Sequence, residues 1–259
     1  MTQIAREIRK IVLKTANKAK SPHIGSALSC VDILSVLYFK VLNLQDYATR
    51  DIFILSKAHA AMALYATLYY RGLMSEEMLL GYYQNSGTLP AHTDRNTHPY
   101  IEISAGSLGH GLPIGIGMAL AFKKNQKDKN RNIYILMGDG EIQEGSIWEA
   151  AMLGAKLELN NIVVFIDRNN LQGYGRASEL VGYEPLEDKW KAFGWDCMRV
   201  DGHCEEEILR VVKDKKNKPL CVICDTIKGK GVDFMEDKLE WHYYLVTDEI
   251  YSKALRVLK

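Results

Sequence analysis

The chain carries no excess of either charge: 33 lysines and arginines stand against 32 aspartates and glutamates, a formal +1. That balance leaves no basic footprint for nucleic acid. No stretch of 18 or more consecutive apolar residues occurs, so no membrane span is expected. The first ten residues are charged and amphipathic, without the apolar run or small-residue cleavage site of a secretory leader. Cysteines number five, an odd count without the spacing of a disulfide framework, and a cytoplasmic protein is expected. Cys221-Val-Ile-Cys224 is a lone C-x-x-C with no second pair. It sits in an apolar run where strand alternation sends the two thiols to opposite faces, which favours a buried structural role. There is no internal repeat, and no G-x-G-x-x-G opens a helix after a strand, which removes a generic dinucleotide-binding domain.

What is present is ordinary globular composition, 47% hydrophobic and 25% charged over 259 residues, enough for one core without staples. Short β-branched runs alternate with longer helical patterns. Strands are expected at residues 51–56, 132–137, 161–167, 196–200 and 220–225. Helices are expected at 2–20, 29–42, 58–71, 75–83, 108–124, 146–157, 185–193, 205–215 and about 247–258. This pattern predicts an α/β fold, a doubly wound, mostly parallel sheet with helices on both faces and ligands beyond the carboxyl ends of its strands. The charged segments 123–131 and 213–218 read as solvated loops. Residues 83–117 are rich in Gly, His, Thr, Ser and Pro, and read as an ordered binding loop.

The clearest site lies where the second strand ends, in Gly138-Asp139-Gly140, before the helix that starts near Ser146. Glycines let a ligand approach the backbone, and a helix start favours an anion. Asp139 would repel a phosphate directly, and a divalent cation between them removes the conflict. The next strand ends in Asp167-Arg168-Asn169-Asn170-Leu171. Parallel neighbours place their carboxyl ends side by side, so Asp139, the Asn169 side chain and the Leu171 carbonyl can offer one hard oxygen set.

The pair of segments resembles the thiamine diphosphate signature, and the likeness to the transketolase family runs nearly end to end. Ser21-Pro-His-Ile-Gly25, Ser56-Lys-Ala-His59, Leu89-Pro-Ala-His92, Gly106-Ser-Leu-Gly-His-Gly111, Asp201-Gly-His203, Lys228-Gly-Lys-Gly231 and Trp241-His242 each resemble a family segment. The resemblance implies thiamine diphosphate with Mg²⁺ or Ca²⁺, the metal held by Asp139, Asn169 and Leu171. It implies cofactor contacts from His59, Gly106, Leu108, Gly138, Gly140, Glu144, Asn169 and His242. His23, His59, His92 and His242 would face the substrate, histidine being suited to proton transfer near neutrality. Glu144 and Glu149 match acidic positions that couple two sites across a dimer in the family, or are simply first-turn acids. His110 replaces a usual Gln in the cofactor loop. His98 has no assigned role, and His203 is a candidate cap for the helix near Glu205.

Several motif positions depart from the family: Ala60, Ala91, Thr93 and Tyr243 stand where Gly, Gly, Pro and Gly are usual. All face the supposed channel, which points to a shifted substrate preference. Nothing in the chain matches the family's second domain. The resemblance therefore implies one diphosphate-binding domain over residues 1–259, with 244–259 a terminal helix or linker stub. A separate transketolase C-terminal subunit would complete an α2β2 transketolase acting on sugars or sugar phosphates, the isolated chain being inactive. Alternatives are the α subunit of a 2-oxoacid dehydrogenase decarboxylase and a non-catalytic scaffold.

Overall fold

A computed structural model describes residues 1–128 and 130–258. Lys129, within the charged loop expected at 123–131, and Lys259, the end of the expected stub, lie outside the described residues. Five strands form one parallel sheet: β1 (Ile52–Leu55), β2 (Ile133–Gly138), β3 (Ile162–Arg168), β4 (Asp196–Asp201) and β5 (Leu220–Asp225). Their spatial order is β1-β2-β3-β5-β4. All five fall where the β-branched runs place them, to within a residue at most ends. β2, β3 and β5 are buried almost throughout, which is why they read as continuous apolar runs rather than alternating ones.

Each face of the sheet has its own core. One gathers Phe53, Leu55, Leu136, Phe165, Val222 and Cys224. It packs under α1 (Gln3–Ala19), α2 (Ile24–Ser29), α3 (Val31–Val36), α4 (Ala61–Tyr70) and α10 (Glu205–Lys213). The other gathers Ile54, Ile135, Met137, Val164, Ile166 and Cys221 under α6 (Gly111–Lys124), α7 (Gly145–Lys156) and α9 (Leu186–Ala192). The doubly wound expectation holds, and Cys221 and Cys224 do face opposite cores. All five thiols are free.

Local chemistry sets the helix ends. Thr2 caps α1, its Oγ1 accepting from Ala5 N–H at 3.2 Å. Ser75 and Thr247 do the same for α5 (Glu76–Leu80) and α11 (Asp248–Val257). α11 is not a free stub: Asn17 donates to the Val246 carbonyl at 3.1 Å, and Lys20 pairs with Asp248, fastening it to α1.

Several boundaries differ from expectation. The helix expected over 29–42 begins earlier, at Ile24, breaks at Cys30 and ends in a π-turn, Leu37–Val41. Residues 24–29 are buried all round, so they show no helical period. α6 begins at Gly111 rather than 108. Gly109 has φ +85°, and a Cβ there would meet Glu144 and Ser146 side chains at 2.7 and 2.6 Å. The irregular segment therefore ends at His110, short of 117. α5 closes at Leu80, α10 ends at Lys213, and a short α8 (Ala177–Leu180) was not expected.

Candidate active site

The carboxyl ends of four neighbouring strands converge on one cleft of about 700 Å³. Lys57 follows β1 and Asp139 follows β2. Asp167 lies near the end of β3, with Asn169 and Leu171 beyond it, and Lys228 follows β5. Register explains the convergence: Gly138 is level with Asp167, and Asp167 with Cys224.

The cleft floor is charged. Lys57, 1% exposed, forms an ion pair with the fully buried Asp167 and also donates to the Ser26 carbonyl at 3.1 Å. Asp167 further accepts from Ser29 Oγ at 2.6 Å, from Thr226 Oγ1, and from Asn169 Nδ2 at 3.3 Å. Burial works against both ions, but their mutual attraction outweighs it: Lys57 is held above, and Asp167 below, its ordinary range. Lys228 donates to the Leu171 carbonyl at 2.9 Å and lies 3.1 Å from His242 Nδ1. Burial, then repulsion from Lys57, pulls it down to about 8. Asp139 is pushed up to about 6 by burial and by the Asp167 charge.

The oxygen donors suit a hard cation. Asp139 accepts from Gly140 N–H at 2.8 Å and from Asn170 N–H at 2.5 Å, which joins the two strand-end loops. Asn169 Oδ1 accepts from Leu171 N–H at 3.1 Å, and the Leu171 carbonyl faces the cleft through Lys228. Among the described residues no group of three His, Cys, Asp or Glu side chains is placed to hold a metal ion by itself. One carboxylate, one amide and one carbonyl fit Mg²⁺ or Ca²⁺ that takes its remaining ligands from a phosphate and water. Gln172 lines the same cleft, and its buried Nε2 has no hydrogen-bond partner, a spare donor for an anion. A Cβ on Gly140 would come within 3.1 Å of the Gln172 side chain and crowd this approach.

Four histidines form the opposite wall. The His23 ring lies 5.5, 6.0 and 4.8 Å from those of His59, His92 and His242. His23 holds a left-handed backbone, φ 70°, fixed by its N–H donating to the His242 carbonyl at 3.0 Å. His59 Nε2 meets Ser26 Oγ at 2.9 Å. Burial, with nearby cationic and imidazole groups, brings His23 down to about 4 and His242 to about 3, and lowers His59 well below its usual value. Burial lowers His92. All four are neutral at pH 7, able to accept or donate a proton.

A pH dependence follows. The unfolded chain protonates His23, His59 and His242 near 6.5, the folded chain only far below, so the unfolded state binds more protons between those values. The ligand-free chain is expected to lose stability as pH falls from about 6.5 to about 4. Thermal denaturation across that range, with ¹⁵N imidazole spectra of the folded chain, measures it. Midpoints near 6.5 for His23 and His242 would contradict it.

Every residue predicted from sequence for the cofactor, metal or substrate lines this cleft: His23, His59, His92, His242, Gly106 and Leu108, and from the strand-end loops Gly138, Asp139, Gly140, Glu144, Asn169 and Leu171. Glu149 and His110 are exposed and outside it; His110 is the N-cap residue of α6, its Nδ1 3.0 Å from the Leu108 carbonyl. His98 is buried against the Leu73 carbonyl. His203 does not cap α10; its ring is engaged elsewhere. Sequence reasoning missed Lys57, Asp167, Gln172 and Lys228. Lys57 and Lys228 stood inside motifs from which only the histidines and glycines were read. Tyr243 also lines the cleft, its ring edge-on to His242 at 4.8 Å and its hydroxyl donating to the Gly173 carbonyl at 2.8 Å.

The chain matches the family model for "Transketolase, thiamine diphosphate binding domain" over residues 1–254. It is 41% identical to an apulose-4-phosphate transketolase subunit of Phocaeicola vulgatus, over 96% of this chain and 90% of that protein. It is 38% identical to the 6-deoxy-6-sulfo-D-fructose transketolase subunit SqwG of a Clostridium species, over 98% and 94% respectively. The crystal structure of transketolase from Campylobacter jejuni superposes with a TM-score of 0.91 at 31% identity, covering 99% of this chain but 43% of that one. Human transketolase is matched over 38% of its length.

Proposed function

The chain belongs to the transketolase family through its thiamine diphosphate-binding domain, and from that premise we propose that it is the cofactor-holding subunit of a two-chain transketolase. It would transfer a two-carbon ketol unit from a ketose to an aldose acceptor. The observation that carries this reading is the convergence of Asp139, Asn169 and Leu171 with Lys57, Lys228 and four neutral histidines in one cleft.

Thiamine diphosphate supplies, when bound, the nucleophilic carbon that takes up the two-carbon unit. The protein's part is to hold and to move protons. Asp139, Asn169 and the Leu171 carbonyl would hold Mg²⁺ or Ca²⁺, which would neutralise the charge of the diphosphate. Lys228 and the free Gln172 amide would add donors to the same phosphates, with Gly140, His59 and His242 beside them. Gly106 and Leu108 line the ring side. His23, His92 and His242, kept neutral by burial, accept or return protons at sugar hydroxyls. The exposed Tyr243 ring offers the sugar an apolar wall, consistent with a substrate preference of its own.

A partner is part of the proposal. Relatives of the same length are named as subunits, and full-length transketolases are more than twice as long as the region matched. Apolar side chains at Ile114, Met152 and Leu153 stand 39%, 50% and 50% exposed on α6 and α7. We assign that surface to subunit contact in an α2β2 assembly, with this chain one domain of it. No helix among the described residues is long and apolar enough to cross a membrane. Five free thiols suit a reducing, cytoplasmic setting. The family match favours a transketolase over the 2-oxoacid dehydrogenase alternative.

Calorimetric titration of thiamine diphosphate into the chain and its partner tests the site. Binding is expected with Mg²⁺ and is expected to be lost with chelator. Equal affinity in both conditions would remove the metal from the account.

A further inference from the structure

The Asp201-Gly202-His203 motif has no part in the cleft, yet all three of its residues are engaged. The Gly202 N–H donates to the Asp225 carbonyl at 2.8 Å, and a Cβ on Gly202 would meet Thr226 at 2.4 Å. Asp201 accepts from the His203 N–H at 2.8 Å, which turns the His203 ring inward. Its Nδ1 lies 2.7 Å from Asp32 Oδ2, and the Ile227 N–H donates to its Nε2 at 2.9 Å. Because Nε2 accepts, the ring proton sits on Nδ1, which donates a hydrogen bond to the Asp32 carboxylate.

Asp32 is 4% exposed and is gripped from its other side by the fully buried Arg9, at 2.6 and 3.1 Å. Arg9 also donates to the Leu28 carbonyl at 3.1 Å and, through Nε, to the Lys230 carbonyl at 2.9 Å. Burial opposes the Asp32 charge, but His203 and Arg9 hold its carboxyl down at about 2. A further bond, Gly229 N–H to the Gly25 carbonyl at 2.9 Å, fixes the same segment next to His23. The segment from Ile227 to Gly231 is thus tied at Ile227 by His203, at Gly229 by Gly25 and at Lys230 by Arg9. Between the first two ties stands Lys228.

We propose that the buried Arg9–Asp32–His203 chain is a positioning device that sets the Lys228 ammonium toward the cofactor's diphosphate. This rests on the cofactor reading of the cleft. His203 touches neither cofactor nor substrate; it acts through the Ile227 amide on the residue that follows.

The test uses the chain with its partner, Mg²⁺ and thiamine diphosphate, and reads the dissociation constant and the melting temperature. His203→Ala frees the Ile227 amide and is expected to weaken cofactor binding about tenfold, the size of one lost buried hydrogen bond acting on a charge. His203→Gln, with one donor and one acceptor at similar reach, is expected to recover most of that loss. In a Lys228→Ala background the same His203→Ala change is expected to cost nothing further, because the group it positions is gone. Unchanged affinity in His203→Ala would overturn the proposal. So would an equal further loss in the Lys228→Ala background, which would show His203 acting on general stability. If His203→Ala does not fold, amide exchange of the wild-type chain decides: Ile227 protected like the sheet core supports the tie, exchange at open-loop rates overturns it. Absence of Mg²⁺-dependent binding by the wild-type pair would instead bring down the cofactor reading, and this inference with it.

Discussion

Replacing Asp139 by Ala is expected to abolish Mg²⁺-dependent thiamine diphosphate binding, a loss of about 100-fold or more in affinity, since a buried charge partner is removed. Asp139 is the single carboxylate in the proposed oxygen set. Its carboxyl is pushed up to about 6 by burial and by Asp167. With it gone, a diphosphate would face Asp167 with only Lys57 and Lys228 to offset its charge. The side chain also accepts from Gly140 and Asn170, so the two loops lose their link together with the metal. Calorimetry against wild type, with far-ultraviolet circular dichroism to verify folding, measures the effect. Affinity within a few-fold of wild type would refute the metal assignment.

Replacing Asp167 by Ala is expected to destabilise the chain by about 3–5 kcal/mol, because it leaves the Lys57 ammonium buried and unpaired. Ser29 and Thr226 lose their acceptor in the same step. For a chain of this size the melting temperature is expected to fall on the order of 10 °C. The paired change Lys57→Met with Asp167→Leu removes both charges and is expected to recover most of that stability, as apolar replacement of a buried ion pair often does. It is expected not to recover cofactor affinity, since the cationic floor of the cleft is gone. Thermal unfolding and cofactor titration of both variants and the wild type separate the two effects. A double variant as unstable as Asp167→Ala would show that the pair matters for packing rather than charge.

The sheet was legible because buried parallel strands leave continuous apolar runs, and β2, β3 and β5 are such runs. The two strand-end loops of the site were legible for a related reason: Gly138-Asp139-Gly140 closes, and Asn169-Asn170-Leu171 follows, a buried strand. Helix ends were less so. Residues 24–29 have no exposed face and hence no period, and the start of α6 is set by a contact between Gly109 and Glu144, far apart in the chain. The lysines escaped for a different reason. A lysine in sequence reads as a surface residue, and only the fold shows Lys57 against Asp167 and Lys228 beneath His242. His203 was legible as part of a motif but not in its role, because its partner Asp32 lies 171 residues away.

The central claim is that this chain holds the cofactor but completes its chemistry only with a second chain. Two-carbon transfer from a ketose to an aldose, followed with Mg²⁺ and thiamine diphosphate, tests it most directly. The chain, its partner and their mixture are assayed separately. The account predicts turnover in the mixture and none above background in either chain alone. Turnover by the purified single chain would contradict it.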